Sequence, residues 1–449
     1  MLSGFLTPFM SSSVNIALAA IGRTFPVSAV TLGWVSTANI LAAAALVVPF
    51  GRLADLVGRR RILLAGAVVF TAASAYAMLA GSIAELIAAR AIQGVGASAM
   101  FGTGIAILTS VLPPGERGRA LGLNTAAVYL GLSIGPFAGG YLTSAFGWRS
   151  VFGAIVPVGV LMIVLLQVWL KGEWAGARGE PYDFAGALLF VAMQVALLGG
   201  LTRLTSASGA LLLGAGLAAL AAFVWWEQRS PCPVLEMALL RRNTVFAMSS
   251  LAALINYAAT SAVGFLLSLY LQYVRGLSPA HAGLVLVAQP VLMMLVSPFA
   301  GGLSDRVEPR FVASLGMGLS ALGLGALACI GAATPIGLVA ACLLVLGTGF
   351  GLFTSPNTNA IMGAVEPRQY GVAASFAGAM RLTGQVFSMG VAMLIFAAFL
   401  GATPVKGAPP HLLVDGTRTA LALFAALCAI GVLPSLARGK VRERNDMRR

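Results

Sequence analysis

Charged residues are scarce in this chain, and their scarcity excludes most soluble folds. Only 9% of the 449 residues are charged, whereas 59% are hydrophobic. A soluble protein of this length could not cover its surface with so few polar groups, but a protein whose outer surface faces lipid has no such need. The composition therefore indicates an integral membrane protein.

Residues that serve cofactors and catalysis are also scarce. The chain has two histidines and four cysteines, without the paired spacing of a metal site or a disulfide framework. No phosphate-binding loop with a lysine is present, and the longest hydrophilic connections, residues 171–183 and 227–244, are too short to fold alone. We therefore expect no cofactor, no metal and no enzymatic activity, so that energy must come from gradients.

Long apolar segments make up most of the sequence. Several run about 20 positions without a charged side chain, for example residues 62–81, which suffices for a helix to cross a hydrocarbon core of about 30 Å. These runs are too long for barrel strands and lack alternating polarity. The sequence predicts fourteen helical spans, near residues 4–22, 32–50, 62–80, 84–111, 120–143, 149–170, 184–202, 208–226, 245–272, 281–302, 311–331, 335–362, 371–400 and 418–437.

Basic residues are unevenly distributed between alternate connections. Of the 28 lysines and arginines, 20 fall on the side that holds both termini and six on the other, while Arg90 and Arg381 lie within spans. The positive-inside rule then places both termini in the cytoplasm. The net charge of +14 is therefore a topology signal, and we expect the lipid bilayer, not nucleic acid, as the partner of these charges.

The basic connection GRLADLVGRRR, residues 51–61, recurs as GGLSDRVEPR, residues 301–310. The offset of 250 residues predicts an all-α fold of two six-helix bundles, residues 1–170 and 245–437, related by a pseudo-two-fold repeat. Residues 171–244 add two central spans, and residues 438–449 form a basic tail. Parallel repeats of this kind build transporters whose halves move about a central site.

Four motifs resemble signatures of the major facilitator superfamily. They are the basic loop at residues 51–61, Arg90 within RAIQGVGAS, GLSIGPFAGG at residues 131–140, and VNIAL at residues 14–18. The sequences DFAGALLF and WWEQRSPCPVLEMALLRRNTVF resemble the connections flanking the two central helices of the fourteen-span drug:proton antiporter branch, the EmrB/QacA-like multidrug transporters. The resemblance implies a monomeric secondary transporter that exports small amphiphilic compounds by alternating access.

The resemblance also implies roles for individual residues. The basic loops would latch the two halves on the cytoplasmic side, through Asp55, Arg59, Arg60 and Asp305; the alternative is a plain topology anchor. The fifth span carries an antiporter motif whose glycines form a face without side chains and whose proline bends the helix. These residues are Gly131, Gly135, Pro136, Gly139 and Gly140.

Arg90 and Arg381 are functional candidates, because a charge at membrane depth costs at least about 2.5 kcal/mol. Arg90 could reach the outer surface, whereas Arg381 lies too deep to meet water outside a cavity. We expect Arg381 to attract a carboxylate, a phosphate or an electron-rich ring. The other cavity candidates are neutral, and part of them could instead form interhelical hydrogen bonds: Asn15, Tyr129, Asn256, Tyr257, Asn357, Asn359 and Gln385.

One departure from the family concerns proton coupling. Proton-coupled relatives usually carry an aspartate in the first span where this chain has Met10, and no acidic residue lies in the middle of any predicted span. The resemblance implies protons as the coupling ion, but the middle of the predicted spans offers no carboxylate to accept them. Export of an amphiphilic compound leads, uptake of a small metabolite such as a flavin is the alternative, and a membrane sensor or intramembrane enzyme fits least.

Overall fold

A computed structural model describes the chain except for residues 112–113, 176–178, 204–206, 232, 234, 236–239, 242, 305, 366–369, 402 and 440–449. Side chains within helices are also left undescribed at residues 105, 109–111, 114–122 and 370–372. The first six helices, which we call the first block, are α1 (Leu2–Thr24), α2 (Ala29–Val57), α3 (Arg59–Leu79), α4 (Ile83–Val111), α5 (Pro114–Phe146) and α6 (Arg149–Trp169).

A helical hairpin follows, formed by α7 (Phe184–Thr202) and α8 (Ala207–Glu227). The carboxylate of Asp183 caps α7 by accepting a hydrogen bond from the backbone N–H of Gly186 at 2.8 Å. The same carboxylate accepts bonds from the Trp226 indole at 3.0 Å and the Ser230 hydroxyl at 2.9 Å. One acidic side chain thus starts α7 and fixes the end of α8 beside it.

The remaining helices form the second block. They are α9 (Thr244–Thr260), α10 (Val263–Leu269), a π-helical segment (Tyr270–Val274), α11 (Pro279–Leu286), α12 (Ala288–Ser304), α13 (Pro309–Leu327), α14 (Ile336–Gly363), α15 (Tyr370–Leu400) and α16 (Pro410–Ala437).

Thirteen segments of the described residues are long and apolar enough to cross a membrane. The segment Thr244–Val274 unites α9, α10 and the π-helical segment, and Pro279–Ser304 unites α11 and α12. The prediction of an all-helical, multi-span membrane protein is confirmed. The last span was predicted to begin at residue 418 but begins at Pro410. A proline is favourable in the first helical turn, so the helix starts within the polar residues that precede the apolar run.

The helices of each block pair in a similar way. In the first block, α1 packs on α5, α2 and α3 both pack on α4, and α3 packs on α6. In the second block, α9 packs on α15, α12 and α13 both pack on α14, and α13 packs on α16. The blocks meet where α2 packs on α15 and where α5 packs on α11 and α12, while α7 touches both α2 and α15.

The two ends of the bundle differ in charge. We call the end with residues 51–61, residues 171–183 and Arg438 the basic end, and the end with residues 25–28 and 403–409 the opposite end. At the opposite end, the backbone N–H of Val405 donates to the carbonyl of Val27 at 3.3 Å, which links the two blocks directly.

Candidate functional site

Arg381 of α15 lies between two aromatic rings. Its guanidinium carbon is 4.3 Å from the centroid of the Phe101 ring on α4 and 5.9 Å from the centroid of the Tyr257 ring on α9. Both distances lie within the range of cation–π attraction. The Nε of Arg381 is buried and has no hydrogen-bond partner among the described residues. One positive charge is therefore held against rings from both blocks.

Two glycines on α15 allow this arrangement. A Cβ atom at Gly384 would lie 2.5 Å from a backbone carbonyl oxygen of α9, and one at Gly378 would lie 3.3 Å from the Phe101 ring. Because residues three positions apart share a helix face, Arg381 emerges between the two close approaches. Gln385, the next predicted cavity residue on α15, is half-buried.

Further aromatic and thioether side chains adjoin Tyr257. Its ring packs edge-on against Phe350 of α14, with 5.3 Å between the centroids. Tyr129 of α5 and Met293 of α12 complete a small buried cluster with Phe350. The Tyr129 hydroxyl lies 3.4 Å from the hydroxyl of Ser297 on α12. We use the name central site for Arg381 and the aromatic residues that contact it directly or through Tyr257. These residues are Phe101, Tyr129, Tyr257, Phe350 and Arg381.

The predicted cavity asparagines lie apart from the central site's contacts. Asn15 accepts a hydrogen bond from the Ser36 hydroxyl at 2.9 Å, and Asn359 donates one to the Ser304 hydroxyl at 2.8 Å. Asn256 is fully buried, and neither polar atom of its amide has a partner among the described residues. The structure thus brings Arg381 together with the two predicted tyrosines and assigns Asn15 and Asn359 to contacts between helices.

Asn357 belongs to a separate network at the basic end of the second block. Its amide donates to the Ser249 carbonyl at 3.1 Å and accepts from the Arg438 guanidinium at 3.0 Å. Arg438 is fully buried and also donates to the Ser435 carbonyl at 2.7 Å. Burial lowers the pKa of Arg438 to about 10. The sequence places Arg438 in a basic tail, and no local pattern there signals burial.

Arg90 of α4 is fully buried and does not reach the outer surface. Its Nε donates to the Val35 carbonyl of α2 at 2.9 Å, and another guanidinium nitrogen donates to the side-chain oxygen of Gln93. The Gln93 amide in turn donates to the Ser74 hydroxyl of α3 at 2.7 Å. Arg90 therefore joins α2, α3 and α4 through neutral oxygen acceptors.

The blocks are joined at the opposite end by a part of the structure that the sequence did not predict. The predicted ninth span is interrupted at residues 261–262, and the segment beyond the break packs against α1. There, Ser268, Gln272 and Tyr273 donate hydrogen bonds to three backbone carbonyls of α1 at 2.6, 2.9 and 2.9 Å. These bonds join α1 to the second block on the side of the opposite end.

The predicted latch residues of the first loop lie at the basic end. The Nε of Arg59 donates to the Asp55 carboxylate at 2.8 Å, and another nitrogen of the guanidinium donates to the Ala106 carbonyl of α4 at 3.2 Å. The backbone N–H of Arg60 donates to the Glu173 carboxylate at 2.9 Å. These bonds connect the loop to α4 and to the connection before the hairpin.

That connection, residues 171–183, supplies acidic partners that sequence reasoning overlooked. Glu180 forms an ion pair with Arg52 at 2.6 Å, and Glu173 lies 3.5 Å from the guanidinium of Arg61. Two acidic residues in a polar connection that follows the sixth span would have been a usable signal, since the basic loop lies on the same side. The second predicted loop acid, Asp305, lies outside the described residues.

The glycines of the predicted α5 motif permit two close contacts. Cβ atoms at Gly131, Gly135 and Gly139 would collide with α1, and one at Gly140 would lie 2.5 Å from a carbonyl oxygen of α11. Pro136 lies inside α5, and its own carbonyl meets a glycine of α11. The motif therefore packs α5 against helices of both blocks.

Comparison with known proteins finds relatives over almost the whole chain. The profile of the Major Facilitator Superfamily matches residues 1–181 and 249–446. The riboflavin transporter RibZ of Clostridioides difficile is 29% identical over 434 residues, which cover 96% of this chain and 94% of that protein. The cephamycin export protein CmcT of Amycolatopsis lactamdurans is 32% identical over 453 residues, which cover 97% and 91%.

A solved structure shares the fold. The human organic anion transporter MFSD10 (TETRAN) superposes with a TM-score of 0.65 at 14% identity, over 97% of each chain. At that identity the likeness concerns the fold alone. The named relatives are transporters and not enzymes, and the family profile covers well over half of the sequence. This membrane protein therefore belongs to the major facilitator superfamily.

Proposed function

We propose that the protein is a secondary transporter of the cytoplasmic membrane that exports a small amphiphilic organic compound by alternating access. The observation that carries the proposal is the central site, which takes Phe101 and Tyr129 from one block and Tyr257, Phe350 and Arg381 from the other. A site shared by two bundles changes its exposure when the bundles rock, as alternating access requires.

The pairing of helices supports two blocks related by a two-fold repeat. Each pair in the first block recurs in the second, and the contact of α2 with α15 is the counterpart of the contact of α5 with α12. Adding α5 to the thirteen apolar segments supports a count of fourteen spans, the number expected for the drug:proton antiporter branch. All residues of the central site come from one chain, so we propose a monomer.

The distribution of basic residues supports a cytoplasmic location for the basic end and for both termini. The opposite end then faces the outside, where the bonds to α1 join the two blocks. Asp55 and Arg59 lie at the basic end, near the end of α2, the helix that packs along α15 of the other block. This position supports a latch that responds to the separation of α2 from α15.

No carboxylate lies in the middle of a predicted span, which supports weak coupling to protons. Arginine keeps its charge in the working pH range and cannot exchange a proton with the substrate. A charged substrate would still feel about 2.3 kcal/mol per elementary charge for each 100 mV of membrane potential. We therefore propose that the potential and the substrate gradient contribute more to transport than the pH gradient does.

Import of a flavin is the second candidate, because 96% of this chain is covered by its similarity to the riboflavin transporter RibZ. Export is preferred because CmcT, the relative with the higher identity of the two, is named as an export protein.

The proposal is tested with purified protein in liposomes, with the pH gradient and the potential imposed independently. We expect riboflavin and other planar fluorophores to cross only in vesicles that contain the protein, and to respond weakly to the pH gradient. Direction is tested in cells, where export lowers the accumulation of the same compounds. Protein-dependent accumulation of riboflavin against its gradient would replace export with import.

A further inference from the structure

The side chain of Arg381 has the chemistry to select solutes by their charge, and we call this property a charge filter. It combines a fixed positive charge, a planar guanidinium and a neighbouring ring on each of two helices, Phe101 at 4.3 Å and Tyr257 at 5.9 Å. Its Nε is an N–H donor that no described oxygen satisfies. A solute that enters between the rings can therefore stack on the guanidinium and accept a hydrogen bond from it.

Among the described residues, no carboxylate forms an ion pair with Arg381. None of the 14 acidic residues of the chain falls in the middle of a predicted span. Arg90, the other arginine within a predicted span, is fully buried against neutral oxygens. The interior of the protein is therefore electropositive, which opposes the approach of a cation and favours that of an anion.

The basic end, through which a solute would enter from the cytoplasm, is also positively charged. Arginines at the basic end, among them Arg52 and Arg61, outnumber their acidic partners in a sequence with 28 basic and 14 acidic residues. A positively charged mouth raises the local concentration of anionic solutes. Charge selection thus begins at the surface and continues at the central site.

We propose that the central site binds planar aromatic solutes that are anionic or neutral, and excludes organic cations, with Arg381 as the residue that determines this specificity. The aromatic part of the solute takes the place of the Phe101 ring on the guanidinium, and an acceptor group on the solute bonds to Nε. Because Phe101 belongs to the first block and Arg381 to the second, this exchange weakens a contact between the blocks. The proposal rests on the proposed transport function.

The test uses three planar fluorophores of different charge: fluorescein as the anion, riboflavin as the neutral compound and ethidium as the cation. Binding to the purified chain in detergent is measured by fluorescence anisotropy, and transport is measured in liposomes. We expect fluorescein to bind at least tenfold more tightly than ethidium. Arg381→Gln should abolish this preference, and Arg381→Glu should reverse it in favour of ethidium.

Two further variants separate charge from shape. Arg381→Lys keeps the charge but loses the planar fork, so it should still exclude ethidium while binding fluorescein about tenfold more weakly. Arg418→Gln is the matched control, because Arg418 is an exposed arginine of α16 that bonds only to the Ala328 carbonyl in the described part of the chain. Its binding preferences should equal those of the wild type.

The outcomes distinguish the two proposals. Equal binding of ethidium and fluorescein by the wild type, or an unchanged preference in both Arg381→Gln and Arg381→Glu, would overturn the charge filter and leave transport intact. Binding with the expected preference but no transport of fluorescein or riboflavin would support the filter and overturn the proposed function. A melting temperature within a few degrees of the wild type shows that each variant is folded.

Discussion

The side-chain amide of Gln272 donates a hydrogen bond to the carbonyl of Ile16, at 2.9 Å, and thereby joins the π-helical segment to α1. Ser268 and Tyr273 donate to two further carbonyls of α1, at 2.6 and 2.9 Å. All three donors belong to the second block and all three acceptors to the first. The blocks cannot separate at the opposite end without breaking these bonds.

Removing the Gln272 bond should favour the state that is open at the opposite end. A net hydrogen bond contributes about 1 kcal/mol, so Gln272→Ala should raise the population of that state about fivefold. The measurement is the rate at which an impermeant maleimide labels a cysteine introduced by Asn15→Cys in a Cys329→Ser background, which removes the exposed native cysteine. Gln194→Ala is the control, because that amide bonds to Thr383 at a different helix contact. Equal labelling rates in all three proteins would mean that these bonds do not gate access.

Asp55→Asn should impair the conformational cycle without unfolding the protein. The substitution keeps the size of the side chain but removes the charge that pairs with Arg59 at 2.8 Å. Expression and melting temperature should be retained, while the transport rate in liposomes falls. Glu85→Gln, which alters an exposed acid at the other end of the molecule, should transport normally. Normal transport by Asp55→Asn would reduce this aspartate to a topology anchor.

Gly139→Ala should destabilise the protein, because the new Cβ atom would lie 2.7 Å from the Cα of Ser13 in α1. Overpacking of this kind costs about 1–3 kcal/mol. Gly318 of α13 offers a matched control, since nothing lies within 4 Å of a Cβ atom placed there. Gly318→Ala should leave the melting temperature unchanged or raise it. Melting curves in detergent decide the matter, and equal shifts for both variants would contradict a packing role for the α5 motif.

Cys329 provides a native test of orientation. It is exposed at the opposite end, between α13 and α14, whereas Cys342 and Cys428 are buried. An impermeant maleimide should therefore label intact cells that express the wild type, and Cys329→Ser should abolish that labelling. In a Cys329→Ser background, Val57→Cys in the basic loop should react only after the cells are opened. Labelling of Val57→Cys from outside would invert the topology.

The spans were predictable because each is a long apolar run with clear signals at its ends. The seventh span was predicted at residues 184–202 and observed at Phe184–Thr202, since Asp183 caps its first turn. A membrane requires every backbone group of a lipid-exposed segment to bond within its own helix, so run length alone locates the helices. Of the central site, Tyr129, Tyr257 and Arg381 were predicted, because polar side chains inside spans are rare enough to stand out.

Features that depend on contacts between distant residues were not predictable. The interruption of the ninth span at residues 261–262 has no proline or glycine at the break, and it is supported by the Ser388 hydroxyl, which accepts a hydrogen bond from the backbone N–H of Ala262 at 3.0 Å. Phe101 was missed because a phenylalanine in an apolar span resembles any lipid-facing or core residue. Its role follows only from the proximity of α4 to α15.

The hairpin of α7 and α8 is attached to the two blocks in unequal ways. Its connection is fixed to the first block by the ion pair of Glu180 with Arg52 and by the hydroxyl of Tyr182, which donates to a carbonyl of α2 at 3.3 Å. The contacts of the hairpin with α15 are the hydrogen bond from Gln194 to Thr383 and the packing of leucines over Gly390. Apolar side chains over a flat glycine can slide, whereas the ion pair holds one position. If the blocks rock as proposed, the hairpin should stay with the first block while α15 slides along it, so that the hairpin would guide the direction of rocking.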